Sequence, residues 1–232
     1  MPQYTHIFFD LDHTLWDFEK NADECLQEIF ETNQLAQRGI ESYQLFFDTF
    51  SEINKGLWKL LDNCQITHQD LRVQRFKKAL AALGIEIDEE YSNDLNEQFL
   101  VLLPQKAHLM DGAKDILDYL QDKYQLHIIS NGYDDVQARK MKSSEIFHYF
   151  DVIATNEKAN ARKPHPDIFN YALQSAGATL EESLMVGDNF EADILGALAA
   201  GMDCVFYNPE GISFTATPTH SITHLNELRN FL

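Results

Sequence analysis

The fold prediction for this chain rests on the stretch Ile7–Leu15, which has the sequence IFFDLDHTL. Its apolar start is typical of a strand buried on both faces, and Asp10, Asp12 and Thr14 follow where such a strand leaves the core. Side chains two apart on a strand share a face, so both carboxylates are expected to point the same way at its carboxyl end, where open α/β sheets bind ligands. Close carboxylates repel each other unless a cation lies beside them, and Mg²⁺ is a usual partner of oxygen ligands. The stretch therefore predicts a metal site.

Strands and helices alternate in the second half of the chain. Further strands are predicted at 126–130, 152–154, 184–187 and 204–207. Helices are predicted at 113–123, 136–146, 166–176, 191–200 and 225–232, with a Gly/Pro/Thr-rich loop before the last of them. This alternation predicts an α/β fold with a Rossmann-like, mostly parallel sheet.

The segment from about 17 to 100 differs from the rest, because it reads as helices separated by short polar breaks. Apolar residues recur at helical spacing in the runs 21–32, 42–61, 71–83 and 88–103. Thr67–Asp70 resembles a helix N-terminus, and Gly84 is a suitable end for the helix that follows. The pattern predicts a second, helical domain inserted after the first strand.

Composition limits the classes of partner. The 232 residues include 18 Lys and Arg against 37 Asp and Glu, a formal net charge of −19. Such a charge argues against binding polymeric nucleic acid or an anionic membrane through bulk electrostatics. A small anion would need a local site built from a metal, lysine and helix N-termini.

Cysteine usage and hydropathy bear on the compartment. Cys25, Cys64 and Cys204 are odd in number and widely spaced, so they are expected to be reduced core residues. No basic segment followed by an apolar stretch precedes Thr5, and no run approaches the length of a membrane helix. A soluble cytoplasmic protein is expected.

The Asp-x-Asp-x-Thr pattern of residues 10–14 resembles motif I of the haloacid dehalogenase-like (HAD) superfamily, in its phosphatase branch. Ser130-Asn131-Gly132, Lys163-Pro164 and the run 187–193 are similar to motifs II, III and IV, in the family's order and at family-like separations. Together they span nearly the whole chain. The resemblance implies a HAD-like catalytic core over residues 1–15 and 105–232, with a helical C1 cap domain at 16–104.

The resemblance assigns the chemistry of motif I. Asp10 is the implied nucleophile, which forms an aspartyl-phosphate and needs no base to deprotonate it at neutral pH. Asp12 is the implied acid for the leaving group and then the base for the attacking water. Dehalogenases of the family lack this second acid. Thr14 is expected to position either the loop or the Asp12 carboxylate.

The remaining motifs imply the phosphate and metal contacts. Ser130 is expected to bind a phosphoryl oxygen with Asn131 beside it, although Ser-Asn-Gly is also good turn chemistry. Lys163 is expected to stabilise the phosphoryl charge and Asp10, although most lysines lie at the solvated surface. Asp188 is expected to complete the Mg²⁺ site with Asp10 and the backbone carbonyl of Asp12.

Motif IV also contains two expected supporting residues, Asn189 and Asp193. For Asp193 two roles are open: a partner of Lys163 or of a metal-bound water, or a favourable carboxylate in the first turn of the following helix.

The substrate class follows from a narrower resemblance. The run 12–18 followed by Asn21 is similar to the pyrimidine 5'-nucleotidase group, which implies a small phosphorylated metabolite such as a nucleoside monophosphate. Sugar phosphates, phosphoglycolate and phosphomutase chemistry are alternatives, and so is a non-catalytic regulatory protein on the same fold. The oligomeric state is left open. Selectivity is expected to reside in residues 16–100, and the candidates are Trp16, Phe18, Phe46, Phe50, Trp58, Arg72 and Arg75.

Overall fold

The structure, a computed structural model, describes residues 4–63 and 65–232. Cys64, expected in a core, lies outside the described residues, whereas Cys25 and Cys204 are buried free thiols. The chain divides into two compact units, one formed by Glu19–Lys106 and the other by the chain up to Phe18 together with Ala107–Leu232. No helix among the described residues has the length and apolar character needed to cross a membrane.

The unit Glu19–Lys106 is helical. Its main helices are α1 (Phe18–Thr32), α2 (Tyr43–Asp62), α3 (His68–Ala82) and α4 (Glu89–Leu102), and a short 3₁₀ turn (Leu35–Arg38) follows α1. The predicted start of α3 is confirmed, since the Thr67 side chain accepts from the Asp70 N–H while Asp70 accepts from the Thr67 N–H in a capping box. Each helix buries the face that carries its spaced apolar residues, and the buried faces of α3 and α4 also contain Arg75, Ser92 and Asn96.

Aromatic rings form much of the interior of this helical unit. The ring of Phe50 lies 4.8 Å from that of Phe76 and 5.5 Å from that of Phe99, which joins α2, α3 and α4. Phe46 packs beside Phe50 at 6.1 Å. Aromatic pairs at these separations stabilise the packing beyond the area that they bury.

The other unit is an α/β fold around a six-stranded, wholly parallel sheet with the order β3-β2-β1-β4-β5-β6. The strands are β1 (His6–Phe9), β2 (Gln125–Ser130), β3 (Phe150–Thr155), β4 (Ser183–Gly187), β5 (Asp203–Tyr207) and β6 (His220–Ile222). The predicted fold class is confirmed. The loop predicted before the last helix contains β6, a strand too short to show a periodic pattern.

The connecting segments of this unit are helical. They are α5 (Ala113–Leu120), α6 (Asp134–Ser143), α7 (Asn156–Ala159), α8 (Pro166–Ala176) and α9 (Gly196–Ala200). The helix predicted at 191–200 instead begins as a π-helical turn (Phe190–Leu195), and the predicted terminal helix is a 3₁₀ segment (Leu225–Asn230). π-Helical turns such as Phe190–Leu195 occur frequently at functional sites.

Candidate active site

The predicted site residues meet at the carboxyl edge of the sheet. Asp10 directly follows β1, Ser130 ends β2 and Asp188 follows β4. These strands are neighbours in the order β2-β1-β4, although β1 and β4 lie far apart along the chain. The chain moves to one side of β1 for β2 and β3 and returns to the other side for β4, and open α/β sheets bind their ligands at such a switch point. Topology therefore brings the separate motifs together.

Lys163 lies at the centre of this cluster and is almost completely buried. Its Nζ lies 2.5 Å from Asp10 Oδ1 and 2.7 Å from Asp193 Oδ1, and it donates to the Ile129 carbonyl over 2.8 Å. Burial alone would lower the pKa of Lys163, but the two carboxylates outweigh it and hold that pKa above its usual range. The side chain is therefore an ammonium between two acids and not a solvated surface lysine.

Asp193 is fully buried beside Lys163. Its Oδ2 accepts from the Asn189 N–H over 3.0 Å, while Oδ1 faces the ammonium. Gly187 makes room for it, because a Cβ at that position would overlap the Asp193 carboxylate. Of the two roles left open for Asp193, the geometry matches the partner of Lys163.

Asn189 caps the π-helical turn. Its side chain accepts from the N–H groups of Glu191 at 3.1 Å and Ala192 at 3.0 Å. Its contribution is thus to fix the backbone between Asp188 and Asp193.

The hydroxyl of Thr14 holds Asp188. Thr14 donates to Asp188 Oδ1 over 2.8 Å and accepts from the Asp188 N–H over 3.1 Å, and it is fully buried. One interpretation placed this hydroxyl on the Asp12 carboxylate, but the structure places it on Asp188. A hydroxyl can donate and accept at once, which is why a single Thr14 can fix both the backbone and the side chain of Asp188.

Three carboxylates offer oxygens to a cation. One oxygen each from Asp10, Asp188 and Asp193 lies within 4.8 Å of the others. Burial raises the pKa of Asp10 to about 7, against the opposing effect of Lys163, and burial together with Asp10 raises the pKa of Asp188 to about 6. Lys163 supplies one positive charge to these three carboxylates, so a further positive charge would stabilise the cluster. An all-oxygen set of this kind fits a hard divalent cation.

Ser130 and Asn131, the neighbouring residues of this motif, make different contacts in the structure. Ser130 Oγ, nearly fully buried, accepts from the Gly132 N–H at 3.1 Å and from Gln137 Nε2 at 2.7 Å. The Asn131 side chain instead accepts from the Lys163 N–H at 2.8 Å and donates to the Lys163 carbonyl at 2.9 Å. The predicted phosphate-binding residue Asn131 therefore uses its amide to hold the backbone of Lys163, whose bond to Pro164 is cis.

Asp12 has two partners that the sequence analysis missed. Lys140 Nζ lies 2.6 Å from its Oδ1, and Gln137 Nε2 donates to its Oδ2 over 2.9 Å. Burial would raise the pKa of Asp12, but Lys140 and Gln137 outweigh it, so that pKa lies below its usual range. Gln137 and Lys140 lie three apart in the helix predicted at 136–146, so a shared polar face could be seen in the sequence. The sequence did not show that this face is turned towards Asp12.

The predicted selectivity residues fall into different environments. Trp16 is fully buried in the α/β unit, and Lys140 Nζ lies 4.5 Å from the centre of its ring and 5.6 Å from that of Phe18. Phe46 and Phe50 are buried in the helical unit. Trp16, Phe46 and Phe50 are therefore packing residues in the structure, whereas Phe18 is half-buried.

The two predicted arginines also differ from each other. Arg75 is buried, donates from Nε to Asn96 Oδ1 over 2.7 Å and stacks its guanidinium 4.8 Å from the centre of the Phe99 ring. Arg75 is therefore a buried residue of the helical unit and not an exposed surface charge. Arg72 and Trp58 are half-buried.

Comparisons with known proteins cover nearly the whole chain. Residues 4–201 match the family described as haloacid dehalogenase-like hydrolase. Pyrimidine 5'-nucleotidase PynA of Streptococcus pneumoniae is 31% identical over 99% of this chain and 95% of its own. Pyrimidine 5'-nucleotidase YjjG of Escherichia coli is 31% identical over 97% of this chain and 96% of its own.

A solved structure shows the same similarity in three dimensions. The crystal structure of the putative HAD-hydrolase YfnB of Bacillus subtilis, bound to magnesium, superposes with a TM-score of 0.86 at 29% identity. It covers 98% of each chain. The similarity thus extends over both compact units.

Proposed function

The chain belongs to the haloacid dehalogenase-like hydrolase family and is a phosphoric monoester hydrolase, and from this premise we propose that it hydrolyses pyrimidine nucleoside 5'-monophosphates. The observation that carries the chemical part is the contact of Lys163 Nζ with Asp10 at 2.5 Å, beside a second acid two residues further on. The substrate class is supported by two relatives named pyrimidine 5'-nucleotidase that align over nearly their full length.

Asp10 is the proposed nucleophile. Its carboxylate oxygen attacks phosphorus, the bond from phosphorus to the nucleoside oxygen breaks, and an aspartyl-phosphate forms. The Lys163 ammonium is already beside the attacking carboxylate and can stabilise the charge of the phosphoryl oxygens without moving far. Asp193 and the Ile129 carbonyl keep the ammonium in place.

Asp12 is the proposed acid and base. Lys140 and Gln137 lower the pKa of Asp12 in the free protein, so Asp12 takes up a proton when the negatively charged phosphate binds beside it. In the first half-reaction it passes this proton to the departing nucleoside oxygen. In the second it takes a proton from water, which attacks phosphorus, releases orthophosphate and restores the Asp10 carboxylate. Both steps require the Asp12 carboxyl to face the reacting oxygens.

Ser130, Asn131 and Mg²⁺ complete the proposal. The Ser130 hydroxyl and the backbone of Asn131 bind phosphoryl oxygens, while Asp10, Asp188 and the backbone carbonyl of Asp12 hold Mg²⁺. The ion supplies positive charge to the transferred phosphoryl group. The cluster of buried carboxylate oxygens supports this assignment, and so does the magnesium bound to the structurally similar YfnB.

Selectivity for the nucleoside is assigned to residues 16–100, within the predicted cap. The motifs at the sheet edge contact the phosphate, which all phosphate monoesters share, so another part of the chain must read the leaving group. The compact helical unit Glu19–Lys106 lies within this stretch except for its last six residues.

Two assays in sequence test the proposal. Release of phosphate from p-nitrophenyl phosphate, with and without Mg²⁺, tests phosphatase chemistry alone. A panel of UMP, dUMP and dTMP against sugar phosphates and phosphoglycolate then tests the substrate class through kcat/KM. A preference for a sugar phosphate over every nucleotide would remove the nucleotidase assignment, and transfer of phosphate to a second sugar hydroxyl in place of water would indicate a phosphomutase.

A further inference from the structure

Helix α6 carries two buried polar side chains that together grip the Asp12 carboxylate. Lys140 contacts Oδ1 and Gln137 contacts Oδ2, at 2.6 and 2.9 Å. Residues three apart lie on the same face of a helix, so both reach Asp12 from one rigid element. With each oxygen held by a different donor, the carboxylate cannot rotate about its terminal bond without losing both contacts.

Gln137 also fixes the distance from Asp12 to the neighbouring motif. Its single Nε2 donates to Asp12 Oδ2 and, over 2.7 Å, to Ser130 Oγ. An amide nitrogen has two N–H groups in one plane, and both are used here. The side chain therefore ties the proposed acid to the hydroxyl proposed to bind the phosphate.

Two features show that the fold accommodates this arrangement. A Cβ on Gly132 would lie 2.5 Å from Gln137 Cδ, so the glycine leaves space for the glutamine side chain. Gln137 Oε1 is buried and has no hydrogen-bond partner within residues 4–63 and 65–232. An unsatisfied buried acceptor costs stability. The opposite orientation of the amide would place this oxygen against the negatively charged Asp12 carboxylate and would lose both hydrogen bonds from Nε2.

Lys140 is held on its other side by aromatic rings. Its ammonium lies 4.5 Å from the centre of the Trp16 ring and 5.6 Å from that of Phe18. Cations are attracted to ring faces at these distances, most strongly when both are removed from water. Only 3% of the surface of Lys140 is exposed, so the surrounding side chains restrict its conformation. In that conformation its ammonium contacts Asp12.

We propose that Gln137 and Lys140 are positioning residues that aim the Asp12 carboxyl at the leaving oxygen, an inference that rests on the proposed phosphatase function. An alkoxide is a poor leaving group and departs with the proton that Asp12 delivers. A p-nitrophenolate departs without that proton. Misplacing Asp12 therefore penalises alkyl esters selectively, whereas general damage to the fold or to phosphate binding penalises both esters alike.

The test compares Lys140→Met and Gln137→Met with the wild-type protein on a nucleoside monophosphate and on p-nitrophenyl phosphate. The quantity measured is kcat/KM, because it includes leaving-group departure but not the later hydrolysis of the phosphoenzyme. For the nucleotide, a loss of about 10²-fold is expected, since displacement by about 1 Å costs that much. For the aryl ester a much smaller loss is expected, and that remaining activity also shows that each variant is folded.

Lys142→Met is the matched control, because Lys142 is exposed on the same helix and approaches the ring of Phe147 instead. It should match the wild-type protein on both esters. Equal losses on the two esters in the Lys140 and Gln137 variants would overturn the positioning role and leave the phosphatase assignment intact. A wild-type protein that hydrolyses neither ester would overturn the proposed function and the positioning role with it.

Discussion

The contribution of His127, a fully buried residue of β2, to the stability of the α/β unit should fall on acidification. One of its ring nitrogens lies 3.0 Å from a ring nitrogen of His6, and its ring centre lies 4.6 Å from that of Phe8. Burial, with a smaller effect from His6, lowers the pKa of His127 from 6.5 to about 4. Below about pH 6.5, His127 is therefore protonated in the unfolded chain but stays neutral in the folded protein until the pH approaches 4, which favours unfolding.

The size of the effect follows from the two pKa values. Each pKa unit corresponds to about 1.4 kcal/mol, so a fall from 6.5 to about 4 amounts to about 3 kcal/mol of unfolding free energy. The loss begins as the pH falls through 6.5 and is complete once the pH is below about 4. Asp10 and Asp188 act in the opposite direction, because their raised pKa values favour proton uptake by the folded state. A variant at His127 is needed to separate the contributions.

The assay is urea unfolding followed by the fluorescence of Trp16. The chain has two tryptophans, so a Trp58→Phe background leaves Trp16 as the reporter of the α/β unit. For each protein the quantity compared is the fall in unfolding free energy from about pH 7 to about pH 4. In the Trp58→Phe background this fall should be about 3 kcal/mol smaller for His127→Gln than for its parent. The exposed-histidine variant His148→Gln should follow the parent. A difference between His127→Gln and its parent that stays constant with pH would refute the reasoning.

Three further predictions concern the site. Asp10→Asn should keep the fold, seen by circular dichroism, and abolish turnover, because an amide cannot form the acyl-phosphate; near-normal turnover would remove the nucleophile assignment. EDTA should abolish activity and Mg²⁺ should restore it, with a weaker response in Asp188→Ala, whereas full activity in metal-free buffer would contradict the metal site. Asp193→Asn should lower the unfolding free energy by about 2 kcal/mol, since it removes one of the two carboxylates beside the buried Lys163 ammonium and leaves Asp10 in place; an unchanged denaturant midpoint would contradict the importance of this ion pair.

Local signals explain which elements were predicted well. The helix predicted at 166–176 is observed as Pro166–Ala176, because Pro166 is preorganised for a first helical turn and Gly177 adopts the left-handed conformation that ends it. The buried strand β1 was predicted from a continuous apolar run. The π-helical turn after Asp188 has no comparable sequence signal, since its composition also suits an ordinary helix.

Site residues were predictable where a strand end positions them, and not where a helix face does. Asp10, Ser130 and Asp188 each lie at or directly after the end of a predicted strand, so parallel order alone brings them together. The contact of Lys140 with Asp12 joins residues 128 positions apart and depends on the rotation of α6 about its own axis. That rotation is set by the packing of the folded unit, which no local pattern contains.

The central position of β1 has a consequence for biosynthesis. A ribosome releases this strand first, yet its hydrogen-bonding partners β2 and β4 begin only at Gln125 and Ser183. Until both have been made, this buried, mostly apolar strand has unpaired edges that could pair with another chain. Pairings between segments so distant in sequence also form slowly. A nascent chain stalled before Ser183 would lack β4, and shielding of β1 by a chaperone would matter most during that interval.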